Sequence, residues 1–292
     1  MKIGIFGKAF SDDGAIYLQQ LLDKLLNVGF TPVFFAPYYA KVKSKITTAT
    51  EPETFENHEE LKVKADMLFS IGGDGTLLDT IVHVRDSGIP ILGVNLGRLG
   101  FLSSVSPEEI MPAIDMIRNE NYEIDQRILL ELVEPVGLFG EINFALNEFS
   151  ITKTDYNSLA MVEVHVNNKF LNTYWADGLL VATPTGSTAY SLSCYGPIIA
   201  PGSQNFVITP IASHNLTVRP IVIHDDSIIK LKVGGRNKNY QAGLDSRFKL
   251  IGNSTEIILK RAGFKINLIQ LPGKHFYKTI REKLLWGKDQ RN

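Results

Sequence analysis

Met67-Leu68-Phe69-Ser70-Ile71-Gly72-Gly73-Asp74-Gly75-Thr76-Leu77-Leu78 is the stretch on which the reading of this chain turns. An apolar run ends at Ile71, glycines occupy positions 72, 73 and 75, and a helix-like pattern, Leu77-Leu78-Asp79-Thr80-Ile81-Val82, follows. The order is strand, tight turn, helix start. Glycines in such a turn admit backbone conformations closed to other residues and let a ligand approach the main chain. The turn empties onto a helix N-terminus, where free N–H groups and the dipole favour phosphate. Gly72, Gly73 and Thr76 are therefore candidates for a phosphate loop. Asp74 is the carboxylate inside that turn. An acid is a poor phosphate ligand but a good proton acceptor for a hydroxyl nucleophile, or a good partner for Mg²⁺. A phosphate cradle holding one carboxylate suggests phosphoryl transfer to an alcohol. Asp-Gly and Gly-Gly are also ordinary turn dipeptides, so the motif alone leaves a plain turn open. It is neither a Walker A loop, since no Gly-Lys-Ser/Thr follows, nor a G-x-G-x-x-G fingerprint.

Around this turn the pattern is α/β. Residues 2–6 form an apolar run ending at Gly7. Leu18, Leu21, Leu22 and Leu25 recur at helical spacing up to Gly29, a C-cap residue. Residues 31–36 read as a second strand closed by Pro37, residues 47–60 as an acidic and polar surface loop, and residues 88–95 as a further strand. Alternating strands and helices predict a doubly wound parallel sheet, whose ligands sit at the carboxyl ends of strands. Gly72 and Asn95 each follow a strand. The glycine-rich connection Asn95-Leu96-Gly97-Arg98-Leu99-Gly100-Phe101-Leu102 is either a simple linker or a wall of the same crevice, with Arg98 available to a phosphate. Ser106-Pro107-Glu108-Glu109 has capping-box spacing and opens a helix running to about Asn119. These residues, 1–122, form the expected first domain.

Beyond residue 122 helices nearly vanish. Strand patterns fall at 127–133, 141–151, 161–166, 169–174, 179–182, 221–223, 228–233, 239–244, 256–260 and 265–270, with Asn167-Asn168 as a hairpin turn. An all-β, sandwich-like domain over 123–275 is expected, followed by an amphipathic helix at 276–286 that returns to the first domain.

Composition narrows the function classes. The chain has 292 residues, 44% apolar and 21% charged, enough to bury a core. A formal net charge of −1 gives no support to nucleic-acid binding or to a basic membrane-surface patch. Cys194 is the single cysteine, which fits a reducing compartment. No stretch reaches the length of a membrane span, and the expectation is a cytoplasmic protein. No His/Cys cluster has metal-ligand spacing, and no Ser-His-Asp order stands out as a hydrolase elbow.

Two further stretches carry polar chemistry. Asp177-Gly178-Leu179-Leu180-Val181-Ala182-Thr183-Pro184-Thr185-Gly186-Ser187-Thr188-Ala189-Tyr190-Ser191-Leu192-Ser193 mixes hydroxyls, glycines and an acid between apolar runs. It is suited to ribose and amide groups, or is a Ser/Thr-capped turn before a helix. Asn147-Glu148 interrupts an apolar strand, so one of the two side chains points inward, and a buried acid needs a partner or a ligand. His214 fits a structural role better than a catalytic one.

Together, GGDGT at 72–76, NLGRLGFL at 95–102, Asn147-Glu148, the stretch 177–193, and the segment 212–220 with His214, Leu216, Arg219 and Pro220 resemble the NAD kinase family. They stand in the family's order and cover nearly the whole chain; 177–193 is the specific piece, since lipid kinases and phosphofructokinase-like enzymes share close versions of GGDGT. The resemblance implies ATP and Mg²⁺ as cofactors, NAD⁺ as substrate, and phosphorylation of the 2′-hydroxyl of its adenosine ribose. It implies Asp74 as the base, Gly75 against the same ligand, and Asn147 and Glu148 on the ribose. Asp177, Thr185, Thr188, Ala189, Tyr190, Ser191, Leu192 and Ser193 would hold the ring systems and amide, with Trp175 and Arg247 at neighbouring ligand positions. Ala212 would close the pocket near a subunit interface of a homodimer or homotetramer. The sequence departs from the family at Ala160 and Trp175, where basic or polar residues are frequent, and at Arg247, where Gln is frequent. A lipid or sugar kinase with the same GGDGT turn, or a non-catalytic nucleotide sensor, are the rival readings.

Overall fold

The computed structural model describes residues 1–8, 12–95, 100–155 and 158–287. The chain divides into two compact units, one made of Met1–Gln126 with Ile266–Asn292 and the other of Arg127–Lys265.

The first unit alternates β1 (Lys2–Gly7), α1 (Asp12–Asn27), β2 (Thr31–Phe35), α2 (Ala36–Val42), β3 (Glu53–Phe55), α3 (His58–Lys64), β4 (Met67–Ile71), α4 (Asp74–Val84), β5 (Ile91–Val94) and α5 (Ile110–Arg118). The five strands lie parallel in the order β3-β2-β1-β4-β5. The sequence reverses direction across the sheet between β1 and β4, which is where open α/β sheets bind ligands. β4 is buried along its whole length, as is β1 beyond Lys2, the mark of parallel strands covered on both faces. Leu18, Leu21, Leu22 and Leu25 of α1 and Ile110, Ala113, Ile114 and Ile117 of α5 join one core with Ile3, Ile5, Phe69 and Val94. Gly29 takes φ 81° just past α1, and the Ser106 N–H donates to Glu109 Oε2 at 3.0 Å before α5. The capping readings at both positions describe the observed backbone.

The stretch 47–60 corrects an expectation. In place of a surface loop it carries β3 and the start of α3. Phe55 is fully buried, and the Asn57 side chain caps α3 by accepting the Glu60 N–H at 3.0 Å. The acidic residues on either side line an exposed face and conceal one anchoring aromatic. Pro37 does end β2, but it does so from the first turn of α2, where a missing N–H costs nothing.

The second unit is antiparallel. After β6 (Glu123–Glu134), which enters it, come β7 (Phe144–Ala145), β8 (Glu148–Lys153), β9 (Ala160–Val166), β10 (Lys169–Ala176), β11 (Gly178–Ala182), α6 (Tyr190–Ser193), β12 (Asn205–Ile211), β13 (Ile221–His224), β14 (Ile229–Gly234), β15 (Asn239–Leu244), β16 (Arg247–Gly252) and β17 (Glu256–Gln270). One six-stranded sheet runs β13-β12-β11-β8-β15-β16, and β10-β9-β14-β17 form the facing layer with β6. Alternate residues of both layers, among them Phe149, Ile151, Leu179, Val181, Phe206 and Tyr240 opposite Leu130, Val162, Val164, Leu231 and Ile257, fill a single core. This is the expected sandwich. Asn167 and Asn168 both take positive φ, 51° and 61°, in the β9–β10 hairpin, the requirement of a two-residue turn.

Two strands of this unit, like β3 of the other, escaped the sequence reading. β12 contains Pro210, which usually argues against an interior strand. It is tolerated because β13 pairs only with Asn205 to Ile208, so Pro210 lies past the end of that ladder. β16 is an exposed edge with Phe248 and Leu250 open to solvent. The segments at 256–260 and 265–270 are one continuous strand, β17, whose far end pairs Leu268 with Ile91 in the first unit's sheet. The division at Ile266 therefore falls earlier than the boundary expected at residue 275. α7 (Phe276–Leu284) follows within the first unit, anchored through Lys274, whose ammonium meets Glu109 Oε1 at 2.5 Å.

Candidate active site

In the first unit the glycine turn is built as its sequence requires. Gly72 takes φ 149°, and a Cβ there would stand 2.4 Å from Thr76 Oγ1. Its N–H donates to Val94 O at 2.8 Å, tying the turn to the end of β5. Gly73 is the N-cap of α4, and Asp74, Gly75 and Thr76 form its first turn; the Thr76 N–H donates to Gly73 O at 2.9 Å, and the N–H groups ahead of it have no acceptor within the helix. Behind the turn, Thr80 Oγ1 donates to Ser70 Oγ at 2.8 Å inside the core.

Asp74 has a set of partners that the sequence did not announce. Its Oδ2 accepts the Phe101 N–H at 2.7 Å, and its Oδ1 accepts those of Leu102 and Ser103, each at 3.0 Å. Ser103 Oγ donates to Gly72 O at 3.1 Å. A Cβ at Gly100 would come within 1.8 Å of Asp74 Oδ1, so this glycine is required by contact with the carboxylate. The second glycine-rich connection is thus joined to the first at residues 100–103. Arg98, the expected phosphate partner, lies outside the described residues.

In the second unit Asn147 is buried in the bend just before β8 and Glu148, its first residue, is half-buried. The Asp245 carboxylate accepts the N–H groups of Leu146 at 2.8 Å, Asn147 at 2.8 Å and Glu148 at 3.2 Å. From the other side, the Thr183 N–H donates to Asn147 O at 2.9 Å and Thr183 Oγ1 donates to Leu146 O. Gly186 lies so close that a Cβ would stand 2.1 Å from Asn147 O. Burial, and next the Asp245 charge, push the Glu148 carboxyl up to about 8. Burial also pushes Asp245 up, while its three N–H partners and Arg247 pull it down. Both carboxyls are thus raised, and the three N–H donors are aimed at Asp245.

The remaining candidates lie on this unit too. Thr185 is buried and accepts from Arg127 Nη1 at 3.2 Å. Thr188 Oγ1 donates to Thr185 O at 3.0 Å. Ser191 points inward, its hydroxyl 2.9 Å from Thr209 Oγ1, whereas Ser193 is exposed and Ala189 and Leu192 are half-buried. Tyr190, Ser193 and Ala212 share a cavity of about 650 Å³ with Cys194, Leu216 and Arg219. Burial first, then Cys194, Asp177 and Glu148, raise the Tyr190 phenol, so all three groups lie within electrostatic reach of Tyr190. Asp177 pairs with Lys153 Nζ at 2.5 Å. Trp175 is half-exposed, and its carbonyl accepts the His214 N–H at 2.9 Å. The Arg247 guanidinium donates to Ile142 O and Phe144 O.

These two constructions match known sequence families. The ATP-NAD kinase N-terminal domain family matches residues 18–122, and the ATP-NAD kinase C-terminal domain family matches residues 146–271. This chain belongs to the NAD kinase family. NAD kinase of Cytophaga hutchinsonii is 41% identical to it and NAD kinase of Flavobacterium johnsoniae 43%, each alignment covering all of both chains. Yeast NADH kinase, solved in complex with NADH, has the same fold with a TM-score of 0.86 over 99% of this chain and 88% of its own, at 21% identity. The three positions expected from the sequence to differ from other NAD kinases lie in different surroundings. Ala160 is buried in the sandwich core, Trp175 presents a half-exposed ring, and Arg247 spends its donors on two backbone carbonyls.

Sequence reasoning missed Asp245, Arg127, Lys153 and the 101–103 amides as partners of the site. Asp245 lies in the two-residue turn 245–246 and Arg247 opens β16, an acid and a base where a hairpin needs neither, and that was the available signal. The 101–103 amides are backbone groups and left none.

Proposed function

We propose that this chain is an ATP-dependent NAD kinase that transfers the γ-phosphoryl group of ATP to the 2′-hydroxyl of the adenosine ribose of NAD⁺, forming NADP⁺ and ADP. The observation that carries this reading is membership of the NAD kinase family along both units, with the GGDGT turn intact at the head of α4.

In this reading Asp74 takes the ribose proton as the hydroxyl oxygen attacks the γ-phosphorus and the bond to the ADP oxygen breaks. A carboxylate offers about four lone-pair directions, and three on Asp74 are filled by backbone N–H groups. The remaining one is the seat for the substrate hydroxyl. The clasp fixes the carboxylate in advance, and positioning of this kind supplies most of the catalysis in phosphoryl transfer. Gly72, Gly73, Gly75 and Thr76 lend the helix N-terminus to phosphate. Asn147 and Glu148 hold the ribose, Glu148 as a neutral donor. Asp177, Thr185 and residues 188–193 hold the ring systems and amide, with Ala212 and Trp175 at the edge. Arg247 acts by fixing the backbone beside Asn147 and Glu148.

Mg²⁺ belongs to the reading through ATP. Among the described residues no group of three His, Cys, Asp or Glu side chains is arranged to hold a metal. The ion would be carried on the nucleotide phosphates, as is usual for Mg²⁺. A homodimer or homotetramer fits the strongly exposed Tyr195 and Leu216 beside the Ala212 cavity. A cytoplasmic location fits the single thiol of Cys194. No described helix is long and apolar enough to cross a membrane.

The test is a coupled assay in which an NADP⁺-specific dehydrogenase reports product from NAD⁺ and ATP, with diacylglycerol and fructose 6-phosphate compared as acceptors of label from radiolabelled ATP. Product from NAD⁺ alone is expected. A folded protein that binds NAD⁺ and forms no NADP⁺ would overturn the reading.

A further inference from the structure

Leu146, Asn147 and Glu148 are consecutive, yet their three N–H groups converge on one carboxylate. In a regular strand neighbouring side chains and N–H groups alternate in direction. Convergence means the chain bends between β7 and β8 into a concave nest of amides, the kind of surface that elsewhere binds anions. Here the anion is the protein's own Asp245. The contact is reciprocal, because the Asp245 N–H donates to Glu148 O at 3.0 Å. Asp245 itself sits at φ 53° in the turn between β15 and β16, a conformation that Asp and Asn tolerate better than most residues.

We propose that Asp245 is a positioning residue: it holds the bend that presents Asn147 and Glu148 to NAD⁺, and it acts on the reaction only through them. The proposal rests on the reading above in which these two side chains grip the ribose. Without the carboxylate, three amide donors lose their acceptor and the bend has nothing to close on. Thr183 and Gly186 hold only the carbonyl side of the same segment. The two side chains then leave their places while Asp74 and the glycine turn, built in the other unit, keep theirs.

The test uses D245N, which turns an N–H₂ toward the nest, and D245G, which removes the carboxylate without straining a positive φ. Both are expected to raise KM for NAD⁺ by about 10- to 100-fold, in line with the cost of a misplacement of about 1 Å, with KM for ATP unchanged. D225N is the control, since Asp225 is a fully buried acid of the same unit paired with Arg261. It should lower the melting temperature and leave both KM values alone. In the E148Q background, D245N should add less than it does in wild type. If N147A and E148Q raise KM for NAD⁺ and the Asp245 variants do not, the positioning role is wrong and the ribose reading stands. If N147A and E148Q leave KM unchanged, both fall. Should the Asp245 variants not fold, hydrogen exchange on the wild-type protein decides: amides 146–148 exchanging as fast as an open turn would overturn the proposal.

Discussion

The backbone N–H of Phe101 donates to the Asp74 carboxylate at 2.7 Å, the shortest of the three contacts that loop 101–103 makes with it. One side chain is thus both the proposed base and the clasp of a loop. Asp74→Asn should separate these roles. Loss of a positioned base lowers kcat by about 10²–10⁴-fold. The amide keeps one acceptor but turns a donor toward the loop, costing about 1–3 kcal/mol of stability. NAD⁺ binding should persist. Steady-state kinetics, calorimetric titration with NAD⁺ and thermal melts check the three parts, and wild-type turnover would remove Asp74 as the base.

Gly100 offers a way to move the carboxylate without changing it. A methyl group there would overlap Asp74 Oδ1, 1.8 Å from the Cβ position. Gly100→Ala should therefore cost about 10²-fold in kcat through displacement of the reacting group, with far-ultraviolet circular dichroism unchanged. Activity within twofold of wild type would mean that the clasp plays no part in turnover.

Glu148 predicts a pH dependence of stability. Its folded pKa of about 8 lies above the ordinary 4.5. Between those values the folded protein keeps a proton that the unfolded chain gives up, so stability is full below about 4.5 and is lost as pH rises toward 8. Glu148→Gln cannot ionise. Melting temperatures of the ligand-free proteins, compared from pH 5 to 9, should converge at the acid end and favour the variant at the alkaline end. Parallel curves would show that Glu148 titrates normally.

His83 predicts the opposite limb. Its ring packs 5.1 Å from Phe6 and 4.7 Å from Phe35, and burial, with Arg85 beside it, lowers its pKa from 6.5 to about 4. The folded state holds it neutral while the unfolded chain binds a proton, so stability is present above about 6.5 and is lost as pH falls toward 4. His83→Phe keeps the aromatic packing and should flatten that limb in acid melts. An unchanged acid limb would assign the loss to other groups.

The sequence showed what local chemistry writes into it. The glycine turn, the Leu18-to-Leu25 stripe, the Ser106 capping box and the Asn167-Asn168 hairpin each depend on neighbours a few residues away, and each stands where its pattern put it. β3 and β12 were hidden because one buried residue, Phe55, was outnumbered by charges, and one proline sat past the end of a partner strand. The site divided in the same way. Asp74 was visible as the carboxylate inside a glycine turn, and Asn147-Glu148 as a polar break in an apolar strand. Their holders were not, since Asp245 reaches Asn147 across a long span of chain and the 101–103 loop offers only main-chain amides. Contacts of that kind exist only once the chain has folded.

The route of the backbone has a consequence for synthesis. Arg127–Lys265 is an insertion within the other unit, whose β17 edge and core residues Ile269 and Leu271 are read from the message only afterwards. On the ribosome the inner module can complete itself first, while the earlier-made strands wait with β5 paired only to β4. Such late closure of distant segments is slow and leaves sticky surface open to aggregation, so the nascent protein is most vulnerable until the segment beginning at Ile266 has joined its unit.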